Sequence, residues 1–327
     1  MAMGLLMRVK AVLTILAVTV ALGRFGAHAG SKLSPWYYAE TCPDLEKTVN
    51  DVFQAALAKD PRIGASLLRM HFHDCFVQGC DASVTLVDTP TFIGEQHAIP
   101  NNNSLRGFHV VEAIKTAVED ICPNTVSCAD ILALVALFAV VSAKGPYWEV
   151  EYGRRDSTTA CFTCANTELP APFFDVEELT ANFAAKGLNQ TDMVALSGAH
   201  TFGKAHCRSF SPRVTGDDPT LNPAYRDILL QECPQNVSTN VVVNLDLTTP
   251  FEFDNAYYIN LFSDDGLLTS DQVLYSEAGP TVDLVYYYGW NEDEFFKQFS
   301  ESIIKMGQIT PLTGSQGEIR TKCSYVN

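Results

Sequence analysis

The stretch from Ala129 to Ala143 constrains the fold more than any other part of this 327-residue chain. Ile131, Leu132, Leu134, Val135, Leu137, Phe138, Val140 and Val141 are apolar nearly all round a helical wheel. A helix without a polar face belongs at the centre of a core. The run carries Asp130 and is shorter than the roughly 20 apolar residues a bilayer needs, so it reads as a buried helix rather than a span. Ser127 can cap it. Other helical patterns surround it. Leu45, Val49, Val52, Phe53, Ala56 and Leu57 make one stripe, with Asp44 as its cap, and Ile63 to about Phe76 makes the next helix. Val110, Ile114, Ala117, Val118 and Ile121 mark a third, ended by Cys122-Pro123. Asp175 opens a helix through Val176, Leu179, Phe183 and Ala184 that Gly187 closes. Thr191-Asp192 caps a short helix running to Ser197-Gly198. Phe253 to Phe262 and Glu292 to Met306 complete the set. Residues 89–106 read as polar loop, residues 145–174 as irregular, and Val241 to Val243 as the best strand candidate. The expected class is all-α, with minimal β structure and long loops.

The first residues are a processing signal. Arg8 and Lys10 precede an apolar run from Ala11 to Leu22, and Ala27-His28-Ala29 offers a small-x-small cleavage site. This is the form of a secretory leader, and cleavage after Ala29 is predicted. No other run suggests a span. The chain has 22 basic and 38 acidic side chains, a formal net charge of −16. Loss of Arg8, Lys10 and Arg24 with the leader makes the mature protein more negative still, which disfavours nucleic acid and anionic membrane as partners. All ten cysteines follow the leader. An even count in that setting argues for disulfides, whose connectivity the spacing leaves open. Asn102, Asn189 and Asn236 head Asn-x-Ser/Thr sequons, as fits a secreted surface.

Chemistry concentrates between Arg69 and Ser83. Arg69 and His73 are four apart, hence on one helical face, whereas His71 lies about 200° round from His73. A neutral imidazole beside a fixed guanidinium can take a proton from a small acid and return it elsewhere, while the cation stabilises developing negative charge. This suits cleavage of a peroxide O–O bond over a metal. A second candidate is His200, in Leu196-Ser-Gly-Ala-His200-Thr201-Phe-Gly203, accessible and rigid enough for an axial haem ligand. Taken alone, it would be read as a helix-end histidine bonded to backbone. Asp74, Asp81 and Ser83, with carbonyls exposed by the turn at Val77 and Gly79, offer the hard oxygens calcium wants. Thr201, Asp246, Thr249 and Asp254 form another such set. Zinc is disfavoured, because helical geometry separates His71 from His73 and no second half-site stands at zinc-finger spacing.

Together these residues resemble the secreted plant haem peroxidases (class III, guaiacol-type). The resemblance covers essentially the whole mature chain, from Leu33-Ser-Pro-Trp-Tyr-Tyr-Ala-Glu-Thr-Cys42-Pro to Cys323. Its markers are Gly64 to Ser83, Asn103-Ser-Leu-Arg-Gly-Phe108, Val126-Ser-Cys-Ala-Asp-Ile131, Gly153-Arg-Arg-Asp-Ser157, Leu169-Pro-Ala-Pro172 and Leu196 to Gly203. The resemblance implies one haem b and two calcium ions, in a domain spanning residues 30–327. A distal half at about 30–174 and a proximal half at about 175–327 enclose the haem. It implies reduction of hydrogen peroxide to water, with phenolic donors oxidised one electron at a time, by a monomer secreted to the apoplast or cell wall.

Residue by residue, it makes His73 the distal acid–base, Arg69 the distal arginine and Phe72 the wall of the peroxide pocket. Asn101 becomes the hydrogen-bond partner of the distal histidine, with Glu95 behind it. His200 becomes the iron ligand, Asp271 the carboxylate that accepts its other N–H, and Pro170 the holder of the phenolic donor. The distal calcium takes Asp74, Val77 carbonyl, Gly79 carbonyl, Asp81 and Ser83. The proximal calcium takes Thr201, Asp246, Thr249, Glu252 carbonyl and Asp254. The implied disulfides are Cys42–Cys122, Cys75–Cys80, Cys128–Cys323 and Cys207–Cys233. Cys161 and Cys164 fall outside this family pattern and either bridge each other or stay reduced; a bridge is favoured. Ser209 stands where some members carry an aromatic. Two other readings remain: a calcium-binding wall protein that has kept the fold but acts by binding, and a secreted zinc hydrolase. A Soret band separates the first expectation from both.

Overall fold

A computed structural model describes residues 33–234 and 240–327. The leader and the Asn236 sequon lie outside the described residues. Thirteen α-helices follow in order among the described residues: α1 Leu45–Leu57, α2 Ile63–Phe76, α3 Phe108–Ile121, α4 Cys128–Ser142, α5 Phe162–Thr167, α6 Val176–Ala185, α7 Gln190–Ser197, α8 Ser211–Thr215, α9 Pro223–Glu232, α10 Ala256–Leu261, α11 Thr269–Ser276, α12 Pro280–Trp290 and α13 Glu292–Met306. One two-stranded sheet joins β1 (Lys204–His206) to β2 (Val242–Asn244), antiparallel, with Ala205 opposite Val243. The all-α expectation holds.

The all-round apolar run is α4. Leu132, Leu134 and Val135 are fully buried, and each such side chain contributes roughly 1.5–3 kcal/mol. Ser127 Oγ caps it by accepting the Asp130 N–H at 3.1 Å. Helix α2 packs against α4 so closely that a Cβ on Gly64 would lie 3.7 Å from Ala139. That contact seats the helix carrying Arg69 and His73 directly on the centre of the core.

Several local expectations are corrected. Asp44 stands before α1 but makes no capping bond, its backbone being outside the extended region a cap uses. Helix α7 begins earlier than predicted, because Asn189 is the cap: its Oδ1 accepts the Asp192 N–H and Asp192 answers from the third position. The stretch 145–174, expected to be irregular, contains α5. The helix expected from Phe253 begins only at Ala256. The strand is shifted by one residue, and its partner went unseen because three residues are too few for alternation to register. Gly187 ends α6 as expected, with φ 77° and a Leu188 N–H to Phe183 O bond of 3.0 Å.

The Gly153-Arg-Arg-Asp-Ser157 motif is a structural knot. Buried Asp130 accepts from Tyr38 Oη at 2.8 Å, Gly153 N at 2.7 Å and Arg154 Nη1 at 2.9 Å. Buried Asp156 sits at the start of α4 and accepts from Cys128 N at 3.1 Å and Ala129 N at 2.9 Å, where the helix dipole favours a carboxylate. It also accepts from Arg320 N at 3.0 Å. Replacing Asp156 with alanine strands these amides and leaves the buried Arg320 guanidinium without its counter-charge. The expected cost is about 3–5 kcal/mol, measurable by urea unfolding. A loss below about 1 kcal/mol would contradict this account.

The structure pairs the cysteines as Cys42–Cys122, Cys75–Cys80, Cys128–Cys323, Cys207–Cys233 and Cys161–Cys164.

Candidate active site

Helix α2 presents Arg69 and His73 one turn apart. Arg69 Nε donates to His73 Nε2 at 3.0 Å, and Arg69 Nη2 donates to Pro100 O at 2.8 Å and Ser104 Oγ at 3.1 Å. His73 Nδ1 lies 2.5 Å from Asn101 Oδ1. The other end of the Asn101 amide donates to Glu95 O at 2.9 Å, so Oδ1 faces the imidazole as acceptor and Nδ1 carries the ring proton. Nε2 is then the lone-pair nitrogen. Burial, and next the Arg69 charge, hold the His73 pKa well below that of a free histidine, against the opposing Asn101 bond. The imidazole is neutral, ready to take a proton and disposed to give it back. Phe72 packs edge-on to His73, ring centres 5.3 Å apart, and against Phe76 at 4.5 Å.

The loop after α2 is shaped by backbone that few residues tolerate. Gln78 and Ala82 have φ of 64° and 58°, and Gly79 has φ of 129°. A Cβ on Gly79 would stand 2.5 Å from Thr310 O, so glycine alone fits. The Cys75–Cys80 bridge closes the turn. Inside it, Asp74 Oδ2 accepts from Ala82 N at 2.9 Å and Asp81 Oδ1 from Ser83 N at 3.0 Å. Asp74 Oδ1 and Ser83 Oγ are buried with no hydrogen-bond partner among the described residues. Burial, then the neighbouring Asp81 charge, raises the Asp74 carboxyl well above its usual range, and burial raises Asp81 to about 6.

On the other set, Thr201 Oγ1 donates to Asp254 Oδ1 at 2.9 Å, and Thr249 Oγ1 to the same atom at 3.0 Å. Asp246 Oδ1 accepts from Thr248 N at 2.6 Å and Thr249 N at 2.8 Å. The Glu252 carboxylate pairs with Lys144 instead, which leaves only its backbone for that set. Just before Thr201, His200 Nδ1 lies 2.7 Å from Asp271 Oδ1, on α11. Asp271 is itself held by Leu268 N at 3.1 Å and Tyr257 Oη at 3.2 Å. With Nδ1 committed to a buried carboxylate, Nε2 of His200 is the nitrogen left for a metal. Pro170 follows α5, and its segment is tied to α11 through Ser270 N and Pro172 O at 3.1 Å.

The family model described as peroxidase matches residues 49–289. Peroxidase 15 of Ipomoea batatas is 51% identical over 321 residues, covering 96% of this chain and 98% of that one. The chain belongs to the peroxidase family. Peroxidase 70 of Zea mays is 50% identical over 303 residues, covering 92% and 94%, and peroxidase 54 of Arabidopsis thaliana is 48% identical over 320 residues, covering 96% and 89%.

The peroxidase fold brings Arg69, His73 and Asn101 into one hydrogen-bonded group and His200 and Asp271 into another. It adds residues that sequence reasoning missed. Pro100 O and Ser104 Oγ aim the Arg69 guanidinium. Tyr257 steadies Asp271 and lays its ring 6.3 Å from that of His200. A hydroxyl three residues past Asn101 was the only signal for the first, and nothing in the pattern marked the second. The unexpected helix α5 also belongs here. Cys161 N donates to Glu95 Oε1 at 3.0 Å, and Asn166 Oδ1 accepts from Ile99 N at 2.8 Å. The Cys161–Cys164 bridge thus staples the turn that steadies the loop bearing Asn101. Burial raises Glu95 to about 7.

A haem fits the His200 arrangement, since a carboxylate-anchored imidazole is what an axial ligand requires. Calcium fits the α2 loop. Two carboxylates and an orphaned hydroxyl oxygen, buried together at a cost of several kcal/mol, are what a hard cation relieves. Among the described residues, no three His, Cys, Asp or Glu side chains converge as a metal site; both oxygen sets depend on hydroxyl and carbonyl donors as well. No helix of the described residues is long and apolar enough to cross a membrane.

Proposed function

We propose that this peroxidase carries one haem b and two calcium ions, reduces hydrogen peroxide to water, and draws its electrons singly from small phenolic donors outside the cell. The observation that carries the reading is the pairing of two differently prepared histidines: His73 with an unprotonated Nε2 that accepts from Arg69 Nε, and His200 with Nδ1 bound to Asp271.

Bound haem supplies the iron that receives peroxide and the store for the two electrons exchanged. The protein supplies the rest. His73 Nε2 takes the proton from one peroxide oxygen and delivers it to the other, which departs as water. Asn101 fixes the tautomer that leaves Nε2 unprotonated, and Arg69 stabilises the charge that gathers on the departing oxygen. Phe72 limits the room above His73. His200 would hold the iron through Nε2, made more electron-donating by Asp271. The Pro170 carbonyl would accept the phenolic O–H of a donor. Asp74, Asp81, Ser83 and the Val77 and Gly79 carbonyls would hold one calcium. Thr201, Asp246, Thr249, Asp254 and the Glu252 carbonyl would hold the other. In this reading residues 30–174 form the distal half, residues 175–327 the proximal half, and the chain works as a secreted monomer.

Purified protein should show a Soret band and oxidise a simple phenol only when peroxide is present. Correctly folded protein with no Soret band would overturn the reading. Calcium chelation is expected to lower the melting temperature by roughly 5–15 °C, from about 2.7–4.1 kcal/mol per well-filled site, and readdition of calcium should restore it. Indifference to chelator would remove the calcium assignment.

A further inference from the structure

A line of tyrosine rings runs from His200 to the surface. The Tyr257 ring stands 6.3 Å from His200, Tyr258 lies 5.0 Å from Tyr257, Tyr288 lies 5.4 Å from Tyr258, and Tyr287 lies 5.9 Å from Tyr288. Tyr258 and Tyr288 are buried, whereas Tyr287 is 46% exposed. On the same side of α12, Tyr286 is 58% and Trp290 67% exposed, with rings 6.3 Å apart. Positions three and four apart on a helix are neighbours, so Tyr286, Tyr287 and Trp290 make one aromatic patch. Hydrogen bonds account for tyrosine at two steps, since Tyr257 Oη donates to Asp271 and Tyr258 Oη to Val194 O. Neither those bonds nor packing accounts for an unbroken ring-to-ring line that ends in three exposed aromatic side chains. Tyrosine and tryptophan are the side chains most easily oxidised by one electron.

We propose that Tyr287, flanked by Tyr286 and Trp290, is a second oxidation site, for phenolic groups on a polymer too large to enter the haem pocket. The rings of Tyr288, Tyr258 and Tyr257 carry the electron inward. The inference rests on the reading of His200 as the haem ligand. Exposed rings offer a stacking platform for a phenol. Exposed Asp283, Glu292 and Asp293 flank the patch and select a neutral or cationic polymer over an anionic one.

The step balances. Each polymer phenol gives up one electron and its O–H proton and becomes a phenoxyl radical. Two such electrons and two protons convert one hydrogen peroxide, the oxidant of the established activity, into two waters. The radical on the path rests at Tyr287, where the phenolic proton can pass to water and return. Tyr258 cannot release its proton, because its Oη donates at 2.9 Å to the carbonyl of Val194, which is no base. Its ring serves as a bridge.

The test compares free tyramine with tyramine coupled to a high-molecular-mass dextran, the same phenol differing in size alone, using haem- and calcium-loaded enzyme. In Tyr287→Phe, and in Tyr287→Phe combined with Trp290→Leu, oxidation of dextran-bound tyramine should fall about fivefold or more while free tyramine is oxidised at the wild-type rate. Independently, peroxide added without donor should leave a nitroso spin-trap adduct that peptide mass spectrometry maps to Tyr287, and Tyr287→Phe should lose it. Equal rates on dextran-bound tyramine in wild type and variants, or an adduct confined to other residues, would overturn the proposal. Failure of the wild type to oxidise free tyramine would instead overturn the haem reading on which it rests.

Discussion

A His73→Leu enzyme is expected to bind haem normally and to react with hydrogen peroxide about 10²–10⁴-fold more slowly, the usual contribution of a positioned acid–base. Leucine roughly fills the volume of the imidazole, so the pocket keeps its shape while losing Nε2. Arg69 keeps its bonds to Pro100 O and Ser104 Oγ, and so still offers its charge to the departing oxygen. The residual rate should therefore come from Arg69 and fall further in a double variant. Stopped-flow mixing with peroxide, read at the Soret band, measures the step directly. A His73→Leu enzyme as fast as wild type would end the role given to His73.

His200→Ala is expected to abolish the Soret band of the purified protein. The variant removes the one imidazole anchored by Asp271, and the neighbouring Tyr257 hydroxyl and Leu268 amide keep that carboxylate satisfied. The apoprotein should therefore fold, with its far-ultraviolet dichroism retained. Imidazole added to the solution can enter the space vacated by the side chain, and partial recovery of haem binding should follow. A His200→Ala protein with full haem content would show that the iron is held elsewhere.

Much of this was legible in the chain. The all-round apolar run specified a central helix, and α4 is that helix because nothing on it needs water. The four-residue spacing of Arg69 and His73 specified a shared face, and the 3.0 Å contact is made there once Pro100 O and Ser104 Oγ hold the guanidinium. Long-range meetings were not legible from periodicity. The contact of Asp271 with His200 joins residues 71 positions apart, and it was anticipated through the family resemblance alone. Helix α5 was hidden for another reason: six residues nucleate poorly on their own. It exists because Cys161 caps it, with Sγ accepting the Cys164 N–H at 3.1 Å. The misplaced start of α7 came from reading Asp192 as the cap, when the same side chain was answering Asn189 from inside the helix.

The oxygen loop that follows His73 is completed by a distant part of the chain. Arg320 Nη2 donates to Ala82 O at 2.8 Å, Thr85 Oγ1 donates to Cys323 O at 2.7 Å, and Val87 N donates to Ser324 O at 3.1 Å. The bridge from Cys128 to Cys323 spans 195 positions. During synthesis, the residues that line His73 emerge long before those that buttress them. The loop therefore gains its last partners only from the segment around position 324, which follows every described helix in the chain.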